Sequence, residues 1–111
     1  LRHGDRKDKA ELRQFIAMID YSFRKDDEWE KFKLYFENVY PGFFEGLMEK
    51  HPSLTPQELR LSALIRLNLS TPEIANVLGI SAESVKTSRF RLKKKMELVN
   101  EESLTDHVMR F

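Results

Sequence analysis

Residues 70–96 read STPEIANVLGISAESVKTSRFRLKKKM. Ser70 or Thr71 is placed to cap a helix with Pro72 and Glu73 in its first turn and Ile74, Ala75, Val77 and Leu78 inside. Gly79 ends that helix, because a glycine directly after a helix takes the left-handed backbone without a Cβ clash. Ile80 follows, and Ser81 offers a fresh N-cap for a helix predicted over residues 82–97. Ala75, Gly79, Ile80 and Val85 have the spacing of a helix-turn-helix: a small residue lets two helices cross closely and a glycine permits the tight turn.

Upstream, Leu54-Thr55-Pro56-Gln57-Glu58 is a complete helix start. Thr55 is the N-cap, Pro56 sits where its missing N–H costs nothing, and Glu58 completes a capping box. The helix is predicted to reach about Asn68, with Leu61, Leu64, Ile65 and Leu67 on its apolar face. Downstream, Ser103 can cap a helix with Leu104, Val108 and Phe111 at i, i+4 and i+7, a stripe able to close the core.

The 111 residues contain 19 basic and 18 acidic side chains, no cysteine and 12 aromatics. That describes one small domain, or one with an appendage. No disulfide framework, thiolate metal site or cysteine nucleophile is available, and His3, His51 and His107 lie far apart in sequence. No apolar run is long enough to span a membrane and no secretory leader is evident, so the chain reads as cytoplasmic with no membrane contact in this segment. Leu1 in place of Met suggests a piece of a longer polypeptide.

Charge and aromatic content are unevenly spread. Lys86, Arg89, Arg91, Lys93, Lys94 and Lys95 lie between Ser84 and Met96 with no acid among them, so the net charge of +1 is the sum of a +6 run and a −5 remainder. Ten aromatics fall in the first 44 residues. Leu12, Phe15, Ile16, Ile19 and Phe23 make one helical face; Trp29, Phe32, Phe36, Val39 and Phe43 make a second, which Asp26 or Asp27 could cap. Tyr40 precedes Pro41, so a break is expected there, followed by a short helix across Phe43, Phe44, Leu47 and Met48. Helical spacing recurs and sustained strand alternation does not, so the fold class is all-α. Residues 1–52 form a packing or dimerisation segment, and residues 53–111 the helix-turn-helix domain.

At about 100° per residue, Val85, Leu92 and Met96 line one side of helix 82–97, while Glu83, Lys86, Thr87, Phe90, Arg91 and Lys94 gather on the other. A major groove accepts one such helix. Lys86, Lys93 and Lys95 suit phosphates; Glu83, Ser84, Thr87 and Arg91 suit base edges; Phe90 suits a thymine methyl or, alternatively, packs beneath the N-terminal helices. Each lysine could also be part of a solvated face. Arg89 turns inward, where an ion pair with Glu58 or Glu73 is expected.

Residues 54–98 resemble the LuxR/FixJ (GerE-type) helix-turn-helix of bacterial transcription regulators. The matching text is Leu54-Thr55-Pro56-Gln57-Glu58, Ser70-Thr71-Pro72-Glu73-Ile74-Ala75, Ile80-Ser81-Ala82-Glu83-Ser84-Val85-Lys86 and Arg91-Leu92-Lys93-Lys94-Lys95-Met96. Trp29-Glu30-Lys31-Phe32, Phe43-Phe44 and His51-Pro52-Ser53-Leu54 are similar to the variant found at the C-terminus of sensor regulators. Two positions depart: Ser88 stands where the family commonly has His, and Pro72 where Lys is frequent. The resemblance implies a tetrahelical, cytoplasmic DNA-binding end of a larger signalling protein. It also implies double-stranded DNA as partner and a homodimer.

A sigma factor region 4 shares this scaffold and would also bind RNA polymerase, but the N-terminal half offers no region 2 match. A module that binds another helix through its aromatic stripe is a further alternative. Enzymatic function is not expected and no cofactor or metal is implied. Glu28 and Glu30, and Glu101 and Glu102, are carboxylate pairs away from any histidine or phosphate loop; His51 reads as a turn residue and His107 as an exposed helical one.

Overall fold

The computed structural model describes residues 26–99 and 103–111. Among these residues there are six helices and no strand: α1 (Asp26–Val39), α2 (Phe43–Lys50), α3 (Pro56–Arg66), α4 (Thr71–Leu78), α5 (Ala82–Lys95) and α6 (Leu104–Met109). The face over Leu12, Phe15, Ile16, Ile19 and Phe23, and His3, lie outside the described residues. Asp26 and Asp27 are both already helical, so neither is the N-cap expected of them.

Side-chain caps set the helix starts. Thr55 Oγ1 accepts from the Glu58 N–H (3.2 Å) while Glu58 Oε1 accepts from the Thr55 N–H (2.8 Å). Ser70 and Glu73 repeat the arrangement at α4, at 3.2 and 2.8 Å. Each reciprocal pair satisfies two N–H groups near the helix start that lack an intrahelical partner. Ser81 and Ser103 cap α5 and α6 by accepting from Ser84 and Asp106.

Three consecutive helices stop the same way. At the end of α3 the Leu69 N–H reaches the Leu64 carbonyl and the Asn68 N–H the Ile65 carbonyl, with Asn68 at φ 64. Gly79 (φ 70) ends α4, and Glu97 (φ 58) ends α5 with Leu98 N–H on Lys93 and Glu97 N–H on Lys94. These are Schellman stops, in which one left-handed residue turns the chain back onto the last carbonyls. They shorten two predicted helices: α3 ends at Arg66, before Asn68, and α5 at Lys95, before Glu97.

The break after Tyr40 forms as expected. Gly42 takes φ 79, and a Cβ there would meet nothing within 4 Å, so the backbone conformation, not lack of space, favours glycine. α2 spans Phe43, Phe44, Leu47 and Met48 as expected, burying the first three and leaving Met48 exposed.

The core runs continuously from α1 to α6. Phe36 is its aromatic hub, with ring centroids 5.0–5.6 Å from Tyr40, Phe43, Phe44 and Phe32. Two arginines of α3 lie over rings of the aromatic segment: Arg60 over Trp29 at 5.2 Å and Arg66 over Tyr40 at 4.1 Å. Each such contact joins the aromatic segment to the helix-turn-helix by burying aliphatic stem and placing a cation on a π face. α6 packs on α3 and inserts Leu104 and Val108 into the core.

His107 corrects its predicted exposure. It is 5% exposed, and its Nε2 lies 2.9 Å from Nε2 of His51. The residues between them fold α6 back onto the end of α2, so the turn histidine and the helical one meet.

Candidate nucleic-acid interface

α4 and α5 pack against each other, Ala75 of α4 is buried, and Gly79 supplies the left-handed turn between them. Ile80, on the same turn, stays 42% exposed. Ser81 Oγ accepts from the Ser84 N–H at 3.0 Å and so fixes where α5 begins. From that start, helical geometry decides which side chains face inward. Val85 and Leu92 are fully buried and Met96 nearly so, anchoring α5 along one side.

The opposite side is open. Glu83, Ser84, Lys86, Thr87, Phe90, Arg91 and Lys94 are all exposed, so the structure brings these sequence-predicted residues onto one solvent face of one helix. Phe90 is 61% exposed and is not packed beneath α1 or α2, the described helices of the N-terminal segment; Lys94 Nζ lies 5.2 Å from its ring centroid. Thr87 Oγ1 donates back to the Glu83 carbonyl at 3.2 Å. Lys86 and Glu83 approach to 3.9 Å with both side chains largely in water, a pair of small energetic weight.

Polarity along α5 follows the helix dipole. Glu83 is in the first turn and Lys93, Lys94 and Lys95 are in the last. The three lysines differ in setting: Lys94 is exposed, Lys93 is half-buried, and Lys95 Nζ is held 2.9 Å from Glu58 Oε1 on α3. Burial alone would raise the Glu58 carboxyl; hydrogen bonds from the Thr55 N–H and from Lys95 outweigh it and hold the group below its ordinary value.

Arg89 projects inward as expected but takes a different partner. Its Nη2 donates to Thr105 Oγ1 of α6 at 3.0 Å, whereas Glu58 is occupied by Lys95 and the Glu73 carboxylate caps α4. Half-burial lowers the Arg89 guanidinium from its ordinary value, and the group stays a cation. Thr105 gave no sequence signal for this role, because the partnership depends on how α6 returns across the domain. A groove opens between α3 and α5, closed at one end by the turn after α4, and is lined by Thr55, Gln57, Arg60, Ile80, Ser88 and Arg91.

Among the described residues no group of three or more His, Cys, Asp or Glu side chains converges to hold a metal ion. No helix of the described residues is long and apolar enough to cross a membrane.

No curated protein and no solved structure matches the chain. The model of the luxR family of bacterial regulatory proteins, GerE, matches residues 52–108, a span that opens just before the α3 cap and takes in the helix-turn-helix and most of α6. That match covers more than half of the 111 residues and coincides with the all-α helix-turn-helix just described, so the chain belongs to the LuxR family of DNA-binding helix-turn-helix regulators.

Proposed function

We propose that this chain is the sequence-specific DNA-binding effector part of a larger signalling protein and that it lays α5 in a major groove. The observation that carries this reading is the division of α5: Val85, Leu92 and Met96 are buried on one side, and an acid-free run from Ser84 presents Lys86, Thr87, Phe90, Arg91 and Lys94 on the other. An ordinary surface helix interleaves acids with its bases.

Glu83, Ser84, Thr87 and Arg91 meet base edges. Lys86, Lys93, Lys94 and Lys95 meet phosphates, and Phe90 meets a thymine methyl. For Lys95 the phosphate competes with Glu58, its partner in the free protein. Residues 53–111 are the DNA-binding domain and residues 1–52 the packing or dimerisation segment. Two copies on a pseudo-palindromic site give the affinity that one small module lacks.

Selection of binding sites from a random duplex pool tests this reading. A recurrent half-site, repeated about one or more helical turns apart, is the expected outcome. Enrichment of no sequence, with binding that is weak and only shallowly salt-dependent, refutes it. Capture of core RNA polymerase by the same chain would instead favour a promoter-recognition role.

A further inference from the structure

His51 closes α2 and His107 lies within α6, so their contact is where the aromatic segment meets the last helix of the DNA-binding domain. Their Nε2 atoms are 2.9 Å apart while the ring centroids are 5.1 Å apart. The centroids are thus separated almost as far as two rings joined nitrogen to nitrogen can be. The rings therefore point at each other end on instead of converging on a common third point, which is the geometry of a shared hydrogen and not of two ligands on one metal ion. Phe111 walls the pair, with its ring 5.4 Å from His107 and 6.3 Å from His51, and itself packs edge-on against Phe43.

We propose that His51 and His107 form a proton-sensitive latch: one hydrogen between two imidazoles pins α6 to the end of α2, and protonation of both rings releases it. An end-on pair needs one nitrogen to donate and the other to accept. When both rings carry two N–H groups, donors face donors and two cations stand in van der Waals contact, so the contact opens. Release reaches the DNA-binding surface through α6, because Thr105, two residues before His107, holds Arg89 of α5. This last step rests on the DNA-binding reading above; the latch itself does not.

The surroundings favour one proton over two. Burial, then His107 and Lys50, hold His51 below its ordinary imidazole value, and Glu97, beyond the end of α5, opposes them. From α3, Arg66 reaches α6, its Nη1 donating to Met109 Sδ at 3.3 Å. With the folded-state value lowered, the unfolded chain binds more protons in the acid range than the folded one. Stability is then full above about pH 6.5 and falls as the pH drops through that value toward the folded one. Ordinary electrostatics predicts the opposite trend for DNA affinity, since added positive charge strengthens binding to phosphates. The latch predicts weakening.

The test uses the whole chain with His3→Asn, so that only these two imidazoles report, and the same chain with His51→Gln, a half-exposed position where the amide keeps a donor and an acceptor but does not titrate. Imidazole NMR titration, amide exchange of α6 and affinity for a selected duplex are followed from about pH 7.5 to about pH 5. The expected result is that one ring resists protonation well below the ordinary imidazole range. α6 amides then lose protection as it yields, and duplex affinity falls in parallel, with all three trends flattened by His51→Gln. Independent titration of both rings near the ordinary value overturns the latch. A normal latch titration with identical affinity profiles in both chains overturns its link to DNA. Absence of duplex binding at every pH, with the titration and exchange as expected, refutes the DNA-binding reading and leaves the latch standing.

Discussion

Lys94 and Lys95 are neighbours in sequence with the same charge, and the structure predicts that they behave differently on DNA. Lys94 is exposed beside Phe90 on the open face of α5, whereas Lys95 is held at 2.9 Å by Glu58, with the two side chains 32% and 25% exposed. A lysine that neutralises one phosphate contributes about 0.9 to the slope of log affinity against log salt. Raising salt from about 50 to about 200 mM therefore costs about 3.5-fold in affinity per contact. Lys94→Ala is expected to weaken binding and to remove one such step. Lys95 must first leave Glu58, so Lys95→Ala is expected to remove less than half a step. It should instead lower folding stability by about 0.5 kcal/mol, the scale of a partly exposed pair. Fluorescence anisotropy across the salt range measures the slopes, and urea denaturation measures the stability. Equal slope changes from the two substitutions, with no stability difference, would show that the Glu58 contact does not hold Lys95 back.

Further outcomes follow from the packing and the caps. Leu92 is fully buried, so Leu92→Ala should cost about 2–5 kcal/mol in urea denaturation, and a loss below about 1 kcal/mol would mean the α5 anchor is wrongly placed. Thr55→Ala and Ser70→Ala should each cost about 1 kcal/mol and, having no shared partner, should add in the double variant. Glu97→Gly should raise stability by about 1 kcal/mol, because a non-glycine residue at φ 58 is strained. For Glu58, whose carboxyl is held below its ordinary value, the associated stability is present at neutral pH and is lost as the pH falls through the folded value. The acid-induced loss of stability, taken relative to each chain's own neutral value, should therefore be smaller in Glu58→Gln than in the unaltered chain, and an equal or larger loss in urea denaturation at low pH refutes it.

The four caps and the Gly79 turn were legible because each depends on residues within three or four positions of one another. A serine or threonine followed three residues later by a glutamate satisfies the same N–H groups wherever the helix goes. The stops at Asn68 and Glu97 were not, although they are equally local. Asparagine only tolerates the left-handed backbone, and glutamate gives no indication of it, so the return of the chain and not the residue type imposes the conformation. The buried face of α5 was legible from periodicity alone, and with it the exposed face opposite.

Sequence by itself therefore determined the all-α class, the helix-turn-helix at residues 70–96 and the side of α5 that carries its charge, since propensity, capping and periodicity act along the chain. The tertiary structure alone decided that Lys95 finds Glu58, 37 residues away, that Arg89 finds Thr105 instead of an acid, and that His107 is buried against His51, 56 residues away. Those pairings depend on where α3 and α6 come to lie against their neighbours, and that is settled by burial of a core extending from Trp29 to Val108, whose apolar side chains attract without naming their partners.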